Sequence, residues 1–158
     1  MSASTFAERI VLFVVAALIA DADRRSFLIP DRYLVAGTTL VLLCKLFAVA
    51  TSGSAVPLIA AVVGGLATLI LFVLVRVVVR GTLGFGDVKY LAFLGLCLGP
   101  ALLYVALLFA VVSVFVTVPF RRRRLIPFGV NLSLGAVLAV EWDLLQQNLS
   151  VGVGGMPA

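Results

Sequence analysis

From Tyr90 to Phe120 the chain runs for 31 residues without a charged side chain. As one helix that run would extend about 46 Å, well past the ~30 Å hydrocarbon core that a membrane helix has to cross. It therefore has to be interrupted, and Gly99-Pro100 is the natural break, because proline ends a helix and the residue before it avoids helical backbone. A soluble domain has no place for apolar segments on this scale. With 63% apolar and 12% charged residues and a mean hydropathy of +1.26, the composition agrees with a lipid-embedded chain.

Backbone groups in lipid have to be satisfied within the segment that carries them, so the expected fold is all-α and polytopic. Six apolar windows follow. Ile10 to Ala20 is short; Tyr33 to Ala50 carries a single charge, Lys45; Ala55 to Val75 carries none. The Tyr90 to Phe120 run supplies two windows, and the last extends from Pro127 to Val140, closed by Glu141, Trp142 and Asp143. Gly64-Gly65 in the third window permits close helix packing, within the chain or between chains. Lys45 calls for snorkelling or a buried partner. Residues 1–158 read as one membrane-embedded domain.

Ten of the twelve basic residues stand beside the ends of these windows, which explains the net charge of +5 by membrane topology and leaves no argument for nucleic-acid binding. Arg24, Arg25 and Arg32 follow the first window; Arg76, Arg80 and Lys89 flank the loop before the fourth; Arg121 to Arg124 separate the fifth from the sixth. With six crossings all three groups face the cytoplasm and both termini lie outside. If Tyr90 to Phe120 crossed only once, the four arginines would face outward. Reading Ile10 to Ala20 as a cleaved secretory signal fails on charge, because Glu8 and Arg9 cancel where such signals are positive.

Histidine is absent, which excludes Ser/His and Cys/His catalysis and the His-based zinc proteases. Cys44 and Cys97 lie in apolar windows and form no Cys-x-x-Cys pair, so no metal or cofactor is expected. The chemistry falls to carboxylates. Of the seven acidic residues, Asp21, Asp23, Asp31 and Asp87 all stand at cytoplasmic ends of windows. Ionisable groups there are functional candidates, although capping or pairing with nearby arginines accounts for such positions equally well. Gly84-Phe85-Gly86-Asp87 brings side-chain-free backbone up to a carboxylate, which suits an extended peptide lying alongside, and also suits a plain turn capped by an aspartate.

The segment Asp23-Arg24-Arg25-Ser26-Phe27-Leu28-Ile29-Pro30-Asp31, followed by Gly84-Phe85-Gly86-Asp87-Val88-Lys89 and by Ile126-Pro127-Phe128-Gly129, resembles the paired aspartate motifs of the type IV prepilin peptidases and related preflagellin peptidases. The likeness spans nearly the whole chain and points to the stand-alone, tight-adherence form, without the methyltransferase domain of longer members. It implies a membrane aspartic endopeptidase of the bacterial plasma membrane, with its site toward the cytoplasm, that needs no metal or cofactor. Its partner would be a prepilin or pseudopilin precursor with one transmembrane segment, whose short basic leader it removes after a glycine. The implied catalytic pair is Asp23 and Asp87. Asp21 competes with Asp23, but only Asp23 matches the family spacing to Ile29-Pro30-Asp31 without a gap. Gly84, Gly86, Lys89, Pro127, Phe128 and Gly129 are expected to shape the site or hold substrate, and Asp31 to act as a charge at a helix start. Two close carboxylates should share one proton. Helix dipoles, negative at the end of the first helix and positive at the start of the fourth, suggest Asp23 as the acid and Asp87 as the base. From a different class, an ion- or proton-coupled transporter or pilus-assembly subunit would use the same aspartates, with a signature of mid-membrane carboxylates and paired broken helices.

Overall fold

The computed structural model describes residues 3–80, 83–117 and 128–153. Among these the regular structure is all helical: α1 (Ala3–Ser26), α2 (Asp31–Ser52), α3 (Val56–Val78), α4 (Phe85–Thr117) and α5 (Phe128–Val153). Arg121 to Arg124 lie outside the described residues. By length and composition α2, α3, Phe85–Val114 of α4 and Phe128–Gln147 of α5 are able to cross a membrane. The outer faces agree, since Leu43, Leu66, Ile70 and Val112 are large apolar side chains left exposed.

Local chemistry sets the helix ends. Gly53 adopts φ 70° and donates its N–H to the Val49 carbonyl, closing α2 with the left-handed residue that glycine tolerates best. Pro57 stands in the first turn of α3, where its missing N–H costs nothing. Gly99 interrupts α4 with φ 70° and ψ 175°, just before Pro100. The hydrogen bonds show how sharp that interruption is. The Tyr90 hydroxyl bonds Ser133 Oγ at 2.8 Å, and Ser113 Oγ donates to Asn131 Oδ1 at 2.9 Å. Tyr90 and Ser113 would stand about 34 Å apart on a straight helix, yet both bond to residues within one turn of α5. The two halves of α4 therefore fold back on each other at Gly99.

Small residues let the helices approach. A Cβ on Gly64 would come within 3.0 Å of the Gly95 carbonyl and one on Gly65 within 3.0 Å of Leu96 Cβ, so the Gly64-Gly65 pair packs α3 on α4 inside this chain. Gly135 lies against the Ala106 carbonyl in the same way, seating α5 on the returning half of α4. The core between them holds Leu12, Ile19, Val41, Tyr90, Leu91, Leu94 and Leu132.

Charged pairs join the opposite end of the bundle. Lys45 Nζ bonds Glu8 Oε2 at 2.8 Å, and Arg9 Nη2 bonds Asp143 Oδ2 at 2.7 Å, so adjacent residues of α1 grip α2 and α5. Lys45 thus has a buried partner. α5 continues through Asp143 to Val153, and the Asp143 side chain is held by its ion pair with Arg9.

Candidate active site

The last turn of α1 carries Asp23 inward. Its side chain is nearly closed to solvent, at 4% exposure, and its Oδ2 accepts the Val130 backbone N–H of α5 at 3.1 Å. That contact depends on Gly129, where a Cβ would stand 3.0 Å from Oδ2 and 3.1 Å from Cγ of Asp23. Behind it the Asn131 and Ser133 side chains tie α5 to both halves of α4, and Ser133 Oγ also donates to the Gly129 carbonyl at 2.8 Å. The first turn of α5 is thereby fixed against the partner helices.

Beyond Asp23 the chain turns. The Phe27 N–H bonds the Asp23 carbonyl at 3.0 Å, Phe27 takes a left-handed φ of 53°, and Pro30 precedes α2 in extended conformation. Asp31 opens α2 and pairs with Lys89 Nζ at 2.7 Å, tying the first turns of α2 and α4. Lys89 also lies over the Phe85 ring at 5.0 Å, and Arg76 over the same ring at 5.8 Å.

Asp87 is the third residue of α4, and its carboxylate accepts the backbone N–H of Gly84, the reciprocal half of a capping box. The Val88 N–H returns to the Gly84 carbonyl at 3.2 Å. The two motif glycines give the turn and cap that their spacing also suited. A Cβ on Gly84 would meet Asp87 Oδ2 at 2.8 Å, and one on Gly86 would meet Ile29 Cβ at 3.1 Å. They make room for the carboxylate and for Ile29, which packs on Gly86.

Asp23 and Asp87 line one cavity of about 420 Å³ with Phe27, Ile29, Gly84 and Phe128, and their charges act on each other. Asp21 is elsewhere: it is 59% exposed and pairs with Arg25 at 3.0 Å on the outer face of α1. Of the other residues expected to shape the site, Gly84, Gly86 and Phe128 line the cavity and Gly129 presses on Asp23. Lys89 stands beside the cavity, bonded to Asp31, and Pro127 lies outside the described residues. The dipole argument for proton placement changes. Asp23 does end α1, but its carboxylate is bonded to the N-terminal turn of α5, so both aspartates face the positive end of a helix. The positive start of α5 thus offsets the negative end of α1 at Asp23, and the dipole difference between the two aspartates narrows.

Sequence reasoning missed Val130, Asn131, Ser133 and Tyr90, which hold the Asp23 and Asp87 helices in register. The available signal was Asn131 and Ser133, two polar side chains close together near the start of an apolar segment. Chemically, two carboxylates facing one cavity are equipped to divide a proton between them and to activate a water.

A comparison with protein families matches residues 10–118 to the type IV leader peptidase family. The matched stretch takes in both aspartate segments and stops before α5. Comparisons with curated proteins and with solved structures return no match. With most of its length matched and the two aspartate segments meeting at one cavity, the chain belongs to the type IV leader peptidase family.

Proposed function

We propose that this protein is an aspartic endopeptidase of the bacterial plasma membrane that cuts the short basic leader from single-span prepilin-like precursors at the cytoplasmic face. The observation that carries the reading is the one cavity in which α1 and α4 set Asp23 and Asp87 together. A water held between them loses its proton to the ionised carboxylate as its oxygen attacks the scissile carbonyl, while the protonated partner donates to the carbonyl oxygen. Collapse of the tetrahedral intermediate breaks the C–N bond, the amine takes a proton from the pair, and leader and mature chain separate. In this reading the fold-back at Gly99 makes six crossings, with both termini outside and the cavity toward the arginine-rich side.

The test is co-expression with a prepilin-like precursor, following leader removal by gel shift at matched membrane levels of enzyme. Wild type and Asp21→Asn should process the precursor, and Asp23→Asn and Asp87→Asn should not. If both of the latter process at the wild-type rate, the peptidase reading falls, and transport through the same carboxylates takes its place.

A further inference from the structure

Two apolar recesses open on the bilayer-facing side of the bundle. The larger, about 530 Å³, runs along α3 and the half of α4 beyond Pro100, and contains no residue from the first turns of α2 or α4. The other, about 420 Å³, is a trough with Val35 and Thr38 of α2 on one wall, Leu66 and Leu69 of α3 on the other, and Lys89 and Phe93 of α4 on its floor. Lys89 is the sole charged lining residue among those described. It bonds Asp31 at 2.7 Å and covers the Phe85 ring at 5.0 Å, and both of those residues line the cavity holding Asp23 and Asp87. The trough and the cavity therefore adjoin at the Lys89–Asp31 pair. The larger recess has no such contact with the cavity of the two aspartates; the trough has one, through Lys89 and Asp31.

We propose that this trough between α2 and α3 receives the transmembrane helix of the precursor. The inference rests on the peptidase reading above. A leader peptidase cuts next to the end of a membrane helix, so that helix has to dock with its cytoplasmic end at the carboxylates. The floor of the trough meets this need. Lys89, Phe93 and Leu96 follow along one face of α4, so a helix laid over them begins at the Lys89–Asp31 pair, which borders the cavity of Asp23 and Asp87, and runs about 10 Å into the bilayer. In lipid such docking is driven by close packing, for which a groove with two helical walls and a helical floor is suited. Asp31 neutralises Lys89 at the cavity end, so an apolar helix meets no unpaired charge there. The chain leaving the helix then crosses the ion pair into the cavity as extended peptide.

The experiment places a photo-crosslinking benzophenone residue at Val35 or Leu66, in the walls, and at Val14 or Val112, which are exposed on other faces. Each is introduced into the Asp87→Asn chain, to keep the precursor intact, and irradiated in membranes containing a single-span prepilin-like precursor. Adducts to the precursor at Val35 and Leu66 and none at Val14 and Val112 are expected. Thr38→Trp, which fills the trough, should abolish the Val35 adduct. In the chain with both aspartates, the same change should raise the KM for the precursor with kcat retained. Equal adducts at all four positions, or adducts to lipid alone at Val35 and Leu66, would overturn the proposal. Processing by the wild-type chain in the same membranes separates the two ideas. If it cleaves and the trough positions capture nothing, only the docking site fails; if it does not cleave, the peptidase reading fails with it.

Discussion

A methyl group on residue 129 would stand 3.0 Å from Asp23 Oδ2, where the carboxylate now accepts the Val130 N–H. Glycine at this position is a condition for the geometry of a residue on another helix. Gly129→Ala should push Asp23 off that N–H while leaving both carboxylates present. A displacement of about 1 Å costs on the order of 100-fold in rate where reacting groups must be aligned. Leader processing should fall by that order at unchanged membrane levels of protein, measured by the initial rate of gel shift. Processing at the wild-type rate would mean that the Asp23–Val130 contact is dispensable. Asp21 and Asp23 show the same principle from the other side. Two residues apart on α1, they point to different environments, one toward solvent and Arg25, the other toward α5.

At the scale of elements, the fold-back of α4 turns on one dihedral. Gly99 holds φ 70° and has nothing within 4 Å of where a Cβ would be, so a substitution there is resisted by backbone conformation and not by crowding. Gly99→Ala should cost about 1–2 kcal/mol, the usual penalty for an L-residue in left-handed backbone, measured by denaturant titration of the purified protein in detergent micelles. No loss would mean that the turn relaxes freely. The break at Gly99-Pro100 was legible in the sequence, because a run too long for one crossing met the two residues that best interrupt a helix. One element boundary was not. The last helix extends well past Asp143, because helices continue wherever their charged residues find partners on neighbours.

For the whole molecule, Glu8–Lys45 and Arg9–Asp143 clamp α1 between α2 and α5 far from the catalytic cavity. The Lys45 and Glu8 side chains are only 10% and 16% exposed, so removal of one leaves the other charged, unpaired and away from water. Lys45→Met should cost roughly 3–5 kcal/mol, and the double change Glu8→Leu with Lys45→Met should recover most of it, because a buried pair replaced as a unit leaves no orphan charge. A double variant no more stable than Lys45→Met would show that the pair is not the source of the loss. Topology is decided at this scale too. The six-crossing arrangement with the termini outside expects alkaline phosphatase fused after Ala158 to be active and a fluorescent protein fused there to be dark. The reverse outcome would place the C-terminus in the cytoplasm.

What the sequence determined by itself was the class of molecule and its family. Uncharged runs too long for a soluble fold demand lipid and therefore helices, the missing histidines leave carboxylates as the catalytic candidates, and the spacing of two aspartate motifs carries the family. These are properties of residue type and order, which survive without coordinates. What only the tertiary structure decided was contact between distant segments: that Asp23 meets the start of α5, that Gly86 packs on Ile29, and that Lys45 pairs with Glu8. The physical reason is that on a chain apolar on every face, periodicity does not say which side of a helix turns inward. Packing of small residues and pairing of the few buried charges make that choice, and both depend on neighbours far away in the sequence.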